Sequence, residues 1–169
     1  INNEVKEVLF KLNKQSNNDI KIKCIDLNNR ELDFEFNIND IDNKKNDDNS
    51  MVLNYLYEPN SMILKSGAFS LICDRYDVKK LNTNSHLYTS KKLIDFPGRV
   101  FSVNSVVNYS KRNLKDLNIS KANITTRNFP IDVKDIRKKS KILDGGEDYL
   151  FFTTNHVNDQ IIIKTKKTH

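Results

Sequence analysis

Glycine, proline and cysteine are all scarce in this sequence, and tryptophan is absent. The chain of 169 residues has four glycines, three prolines and two cysteines. A nucleotide or cofactor loop needs glycines between a strand and a helix, where backbone N–H groups approach the ligand closely. The glycines do not stand in that arrangement; they are Gly67, Gly98, Gly145 and Gly146. We therefore expect no cofactor-binding residue in this chain.

Metal ligands and catalytic groups are not clustered either. Zinc sites need cysteines and histidines at short, regular spacings, whereas Cys24 and Cys73 lie far apart. The histidines, His86, His156 and His169, show no ligand spacing. We expect no metal site and no catalytic residue, although a Cys–His pair stays open because such partners meet only in the fold. Two cysteines allow at most one disulfide, which favours a cytoplasmic location.

Long apolar segments are missing as well. No run approaches the ~20 residues that a membrane-spanning helix needs. The N-terminus has no basic and then apolar leader, and the C-terminus has no lipidation signal. We therefore expect a soluble, cytoplasmic protein without a membrane partner. The first residue is Ile1 and not Met, which we interpret as the start of a fragment from a longer chain.

Positive charge is concentrated in the second part of the chain. Residues 1–98 hold 14 basic and 15 acidic side chains, whereas residues 99–169 hold 14 basic and 7 acidic ones, a net charge of +7. A basic half beside a neutral half is typical of proteins that bind polyanions. The alternative is an ordinary solvated surface, because lysine content alone says little about partners.

Eight basic residues of the second part are our candidates for RNA binding. Clustered cations favour phosphate binding, because each neutralised phosphate releases a counterion. The same cations could instead stabilise helix C-termini, by about 0.3 to 1 kcal/mol each. Aromatic residues outside core positions are few, so folded RNA is favoured over single strands. The candidates are Lys111, Arg112, Lys115, Lys121, Arg127, Lys138, Lys139 and Lys141.

Strands and one helix are predicted in the first part. Alternation of apolar and polar residues indicates strands at residues 4–12, 19–27 and 31–36, with a hairpin turn at residues 28–29. The polar residues 37–50 predict a loop. A single helix is predicted from Asn60 to Tyr76, and we attribute Gly67 inside it to the close approach of another backbone.

The second part reads as β-α-β-α-β-β. It follows Pro97–Gly98, a dipeptide that we interpret as the boundary between two halves. Strands are predicted at residues 99–109, 122–127, 149–154 and 160–165. Ser110 and Asp132 are predicted to cap two short helices, and residues 144–146 to form a turn. Together with the first part, this pattern predicts an α+β protein.

Several stretches resemble a known family. LYEPNSMILKSGAF (residues 56–69), HLYTS (86–90) and FPGRVF (96–101) resemble the ferredoxin-like domain of bacterial class I SAM-dependent methyltransferases common in Bacteroidetes. ITTRNFP (124–130) and DGGEDYLFFTT (144–154) resemble the THUMP-like domain that follows it. NNEVKEVLF at the start resembles the segment just after the catalytic domain, although Val5 stands where that family usually has Cys.

The resemblance implies two small α/β-sandwich subdomains, ferredoxin-like at residues 1–97 and THUMP-like at residues 98–169. It also implies that a methyltransferase domain precedes Ile1 in the parent enzyme and that SAM binds there. This fragment would then have no enzymatic activity of its own. True THUMP domains help RNA-modifying enzymes to bind structured RNA, so the resemblance implies an RNA-recognition role for this chain.

A structural role is the alternative. The motif residues of the first part would then dock the chain onto the catalytic domain or onto a second copy, and the substrate would be a protein or a small molecule. A continuous basic face would favour RNA, and an apolar patch beside Tyr57 would favour docking. The candidate docking residues are Tyr57, Glu58, Asn60, Lys65, His86 and Arg99.

Overall fold

Strands make up most of the regular structure. The computed structural model describes residues 9–11, 20–25, 34–42 and 50–168. Its strands are β1 (Lys21–Cys24), β2 (Phe34–Asn37), β3 (Tyr55–Pro59), β4 (Lys79–Lys80), β5 (Tyr88–Ser90), β6 (Gly98–Asn108), β7 (Lys121–Arg127), β8 (Leu143–Thr154) and β9 (Gln160–Lys167). Its helices are α1 (Ile38–Asp42), α2 (Ser61–Ser66), α3 (Phe69–Tyr76), α4 (Lys111–Asp116) and α5 (Val133–Ser140). The prediction of an α+β protein is confirmed.

One mixed sheet runs through the greater part of the described residues. Its strand order is β4-β5-β3-β6-β9-β8-β7, while β1 and β2 pair with each other in a separate antiparallel ribbon. Strands β7 and β8 pair in parallel, and the other strand pairs of this sheet are antiparallel. The long strand β6 pairs with β3 on one side and with β9 on the other. The sheet therefore continues unbroken past residues 97 and 98.

Alternation along the strands divides the apolar core between the two faces of this sheet. In β3, Leu56 points to the face where it packs with Phe101 of β6. The next residue, Tyr57, points to the opposite face and packs with Ile63 of α2 and Ile72 of α3. Helices α4 and α5 cover that opposite face further along, over β8 and β9. Helices therefore cover one face of the sheet. On the other face, side chains of the strands pack against one another.

The sheet curls until its two ends touch. Asn82 follows β4 at one edge, and its side-chain amide donates to the carbonyl oxygen of Asn155 in the β8–β9 turn at 2.9 Å. Asn128, just after β7 at the other edge, donates to Asn82 Oδ1 at 3.2 Å. This closure brings the end of β7 close to β3, although four strand pairings separate the two in the sheet order.

The helix predicted from Asn60 to Tyr76 is in fact two helices. The side chain of Asn60 caps α2 by accepting from the Ile63 N–H at 3.1 Å. Helix α2 ends at Gly67, which has a φ of 75°. A Cβ at this position would meet none of the described atoms within 4 Å. Our explanation by close backbone approach is therefore wrong: Gly67 is needed because it adopts a left-handed conformation at little cost.

The remaining predictions of strands, loops, turns and helix caps are only partly correct. Strand β1 lies inside a predicted strand, and β2 overlaps another but extends to Asn37, the first residue of the predicted loop. Residues 9–11 are not in a strand. Residues 4–8 and 12 and the turn at 28–29 lie outside the described residues. The segment 37–50, predicted as a loop, contains α1. Residues 144–146 are not a turn but part of a bulge inside β8, where the β7–β8 register shifts. The caps of α4 and α5 by Ser110 and Asp132 are confirmed.

Close backbone approach occurs at a different glycine. A Cβ at Gly98 would lie 2.1 Å from the carbonyl oxygen of Glu58 and 2.9 Å from Pro59 Cα. Gly98 opens β6 and pairs with Pro59 of β3, so any side chain here would push the two strands apart. Within the described residues, no helix is both long and apolar enough to cross a membrane.

The two glycines predict different responses to alanine. Gly67→Ala should lower the free energy of unfolding by about 1 to 2 kcal/mol, because only the left-handed backbone is strained. Gly98→Ala should lower it further, because its Cβ collides with backbone atoms that cannot rotate away. Urea unfolding of both variants measures the two losses, and a smaller loss for Gly98→Ala than for Gly67→Ala would contradict this account.

Candidate nucleic-acid interface

Two helices and the starts of two strands place lysines on one side of the protein. Helices α4 and α5 pack on the same apolar cluster, and α4 leads into β7 as α5 leads into β8. The Leu143 N–H donates to the carbonyl oxygen of Ser120 at 2.9 Å, and Lys121 pairs with Leu143 in the sheet. Both helices therefore end beside the first residues of β7 and β8.

Six of the eight predicted RNA-binding residues lie on these helices and strand starts, five of them near this point and Lys111 at the opposite end of α4. All six are exposed, and none of them has a carboxylate oxygen within 4.0 Å in the part of the chain that the structure describes. Their ammonium groups therefore form no ion pair with the described residues. We call this set the lysine surface; it consists of Lys111, Lys115, Lys121, Lys138, Lys139 and Lys141.

Helix ends account for part of this arrangement. Lys138 and Lys139 occupy the last turn of α5, where positive charge stabilises the exposed carbonyl groups. Lys141 caps the helix with a φ of 63°, and its N–H donates to the carbonyl oxygen of Arg137 at 2.8 Å. Helix stabilisation does not explain Lys111 or Lys121, because the first begins α4 and the second begins β7.

The two predicted arginines differ from the lysines. Arg112 is exposed and forms a weak pair with Asp116, one turn further along α4, at 3.7 Å. Arg127 lies at the far end of β7 from Lys121, about 20 Å away at the usual rise of a strand. Its side chain reaches Glu58 of β3. The structure therefore places Arg127 apart from the lysine surface.

Glu58 is the buried partner of two arginines. Its side chain is 5% exposed, and each carboxylate oxygen accepts from a different guanidinium group. Oε2 accepts from Arg99, through Nε at 2.7 Å and through Nη2. Oε1 accepts from Arg127, through Nη2 at 2.7 Å and Nε at 3.2 Å. We call these three residues the glutamate–arginine cluster.

The candidate docking residues have mostly internal partners. The Tyr57 ring is fully buried, and its hydroxyl donates to the carbonyl oxygen of Lys92 at 2.9 Å and accepts from the Ile94 N–H at 3.1 Å. Asn60 caps α2. Tyr57 therefore presents no surface to another domain, while a docking role for the exposed Lys65 stays a prediction.

Comparisons with known proteins assign two consecutive parts of the chain to two domain families. Residues 55–97 match a family of ferredoxin-like domains, and residues 98–167 match a family described as THUMP domain-like. The chain contains a ferredoxin-like domain followed by a THUMP-like domain. It is similar to the crystal structure of a putative methyltransferase from Porphyromonas gingivalis W83, with 33% sequence identity and a TM-score of 0.82 over 88% of this chain. The resemblance inferred from the sequence motifs is confirmed.

The matched region is only part of that larger protein. This chain spans 38% of the length of the Porphyromonas protein. No curated protein matches it. The comparisons thus establish the two domains of this chain.

The glutamate–arginine cluster ties the two domains together. Glu58 belongs to the ferredoxin-like domain, and Arg99 and Arg127 belong to the THUMP-like domain. The sequence analysis names Glu58 and Arg99 as docking candidates and Arg127 as an RNA-binding candidate, and it does not predict their contact. One signal was present: Glu58 lies two residues after Leu56 in an apolar strand, and a carboxylate on a buried face requires a positive partner.

His86, just before β5, combines a left-handed backbone with a partly buried ring. Its φ is 51°, and its ring stacks on Phe69 of α3 with the ring centres 4.0 Å apart. Burial and the positive charges of Lys80 and Arg127 lower the pKa of His86 below its ordinary value of 6.5. Its buried Nδ1 has no hydrogen-bond partner among the described residues.

The lowered pKa of His86 predicts an acid-sensitive stability. Because the folded protein binds this proton less well than the unfolded chain, the free energy of unfolding should fall as the pH drops below about 6.5. His86→Asn removes the titrating group and suits a positive φ. Urea unfolding at pH 7.5 and 5.5 should show a larger loss for the natural protein than for the variant. Equal losses would show that His86 does not contribute.

The glutamate–arginine cluster predicts a strong effect of removing one charge. Glu58→Gln leaves two guanidinium groups without their carboxylate, and removing one partner of a fully buried pair costs about 3 to 5 kcal/mol. Both arginines are partly exposed, so we expect a loss of roughly 2 to 4 kcal/mol. The matched control is Glu147→Gln, whose exposed carboxylate pairs with Lys166 at 3.5 Å; it should cost less than about 0.5 kcal/mol. Similar losses for both variants in urea unfolding would contradict this role.

Proposed function

We propose that this chain is the RNA-recognition part of a SAM-dependent methyltransferase and that its THUMP-like domain binds the phosphate backbone through the lysine surface. The observation that carries the proposal is the concentration of exposed lysines around the ends of α4 and α5 without carboxylate partners in the described residues. Each phosphate that such a lysine neutralises releases a counterion, which favours association. The similarity to the Porphyromonas protein, which is described as a putative methyltransferase, supports the enzyme class.

The acidic residues of the THUMP-like domain support this interpretation by their positions. Asp148 pairs with Lys164 at 3.4 Å, and Glu147 pairs with Lys166 at 3.5 Å, both on β9. Asp144 pairs with Arg137 beneath α5. These carboxylates pair with cations outside the lysine surface. The two helices also carry exposed carboxylates, Asp116 at the end of α4 and Asp132 and Asp135 at the start of α5. The six lysines outnumber them, and this net positive charge attracts a polyanion over about a Debye length, which is ~10 Å at 0.1 M salt.

The aromatic residues of this domain favour folded RNA over single strands. Unpaired bases are usually recognised by stacking on exposed aromatic rings. Here Tyr109, Phe129 and Phe152 instead pack on one another, with ring centres 5.1 to 6.0 Å apart. Contacts to the backbone and shape of a folded RNA remain, and lysines suit them because they bind phosphate without reading sequence.

The positions of the glycines support the proposal that SAM binds outside this chain. Gly67 separates two helices, and Gly98 lies against β3. Gly145 and Gly146 cover the side chain of Lys121, whose Cε would lie 3.2 Å from a Cβ at Gly145. None of these glycines stands between a strand and a following helix, where a cofactor loop would form. We therefore place SAM and the methyl transfer on a separate catalytic domain of the parent enzyme.

Neutralising two lysines tests the proposal. In Lys138→Gln/Lys139→Gln, the affinity for a tRNA-like stem should fall roughly tenfold, and the slope of log K against log salt should decrease by about two. The matched control is Lys91→Gln/Lys92→Gln, which removes the same charge from exposed neighbours in the ferredoxin-like domain. Fluorescence anisotropy between 50 and 200 mM salt, a range over which electrostatic binding weakens about 10³-fold or more for six or more phosphate contacts, measures both effects.

Two results would contradict the proposal. One is RNA affinity of the natural chain that does not change with salt. The other is an equal loss of affinity in both lysine pairs, which would indicate attraction by total charge and not by the lysine surface. In either case the docking role becomes the better explanation of this chain.

A further inference from the structure

The glutamate–arginine cluster has hydrogen-bond donors that the protein does not use. A guanidinium group carries five N–H donors. Arg99 and Arg127 each direct Nε and Nη2 at Glu58. This leaves three N–H groups on each arginine without an acceptor in the described part of the chain. Their side chains are 41% and 33% exposed, so these donors are open to a ligand.

Arg137 shows what an arginine with a purely structural role looks like in the same domain. Its Nη1 donates to the carbonyl oxygen of Ile142 and its Nη2 to that of Ala122, each at 3.1 Å. Nη2 also contacts Asp144. Both terminal nitrogens of Arg137 thus donate to oxygens of the protein itself. In Arg99 and Arg127, by contrast, one side of each guanidinium group has no acceptor among the described residues.

Glu58 makes the two arginines a prepared pair. The single buried carboxylate receives both guanidinium groups and holds them side by side, so little side-chain freedom remains to be lost when a ligand binds. One negative charge cannot balance two positive ones, so the cluster keeps a net charge of +1. Phe101 lies beneath Arg99, with the guanidinium carbon 5.5 Å from the ring centre, and so further limits its orientations.

A buried polar atom near Arg127 also lacks a partner. Thr153 is aligned with Arg127 on the adjacent strand, and its Oγ1 is buried without a hydrogen bond among the described residues. Buried polar groups are rarely left unpaired, and an ordered water or a bound oxyanion would satisfy it.

We propose that the free sides of Arg99 and Arg127, held together by Glu58, bind a phosphate group of the RNA. Arginine suits this ligand because its planar fork donates two parallel hydrogen bonds to phosphate oxygens. This inference rests on the proposed function and adds to it a second contact point, separated from the lysine surface by the length of β7. The phosphate is either an internal one of the backbone or one at a chain terminus.

RNA binding by an arginine-to-lysine variant is the first test. Arg99→Lys/Arg127→Lys keeps both charges but loses the forks, and we expect roughly tenfold weaker binding. Arg75→Lys is the matched control, because Arg75 is exposed in α3 of the ferredoxin-like domain and belongs to neither proposed contact surface; it should change affinity by less than about twofold. Comparing the same RNA with and without a 5′-phosphate identifies the source: an effect seen with both indicates an internal phosphate, and an effect confined to the phosphorylated RNA indicates the terminal one.

A second measurement uses the natural protein and does not depend on how the variant folds. NMR spectra of labelled arginine side chains are recorded while inorganic phosphate replaces chloride at constant ionic strength. The guanidinium signals of Arg99 and Arg127 should shift, and those of Arg137 should not.

The outcomes separate this inference from the proposed function. We call the proposed phosphate site of Arg99 and Arg127 the phosphate clamp. Suppose that neutralising Lys138 and Lys139 weakens RNA binding, whereas the Arg99/Arg127 variant is folded by circular dichroism and binds within twofold of the natural chain. The phosphate clamp is then wrong and the lysine surface stands. Unchanged Arg99 and Arg127 signals in phosphate would overturn the clamp as well. If those signals shift while the natural chain does not bind RNA, the anion site is supported and the RNA function is wrong.

Discussion

The contact of Glu58 with Arg99 and Arg127 is the constraint on which the rest of this structure depends. A carboxylate can lie on a buried face of β3 only if positive charge accompanies it. Arg99 comes from the neighbouring strand, but Arg127 comes from the opposite edge of the sheet. The sheet must therefore curl far enough to bring β7 back to β3, and this curling closes the apolar core that contains Leu56.

The same contact joins two domains that match separate families. The ferredoxin-like domain provides the carboxylate, and the THUMP-like domain provides both guanidinium groups. Strand β6 provides the second connection, because it pairs with strands of both domains. With a shared sheet and a shared ion cluster, the two domains are expected to hold a defined relative position. A rigid scaffold of this kind keeps the distant cations of the two surfaces at a fixed separation.

Several features follow from local patterns in the sequence. Ser110 and Asp132 are predicted as helix caps because a side-chain oxygen of this type accepts from the backbone N–H three residues further along. Both residues do so, accepting from Asn113 and Asp135. The exposed lysines were found because their charges are clustered along the chain. The break at Gly67 was missed, because an apolar stripe continues on both sides of it and only the φ of that residue separates the two helices. The bulge at residues 144–146 was missed because Gly-Gly indicates a turn equally well.

The amino-acid sequence by itself determined the α+β class, the helix caps, the excess of positive charge and the family resemblance. These are properties of composition and of residues close together in the chain. Tertiary structure decided which charges have partners. Glu58 and Arg127 are separated by 69 residues, and no local pattern can show that a curled sheet brings them together. For the same reason only the fold separates Arg127 from the lysine surface and gives it the free donors on which a phosphate site depends.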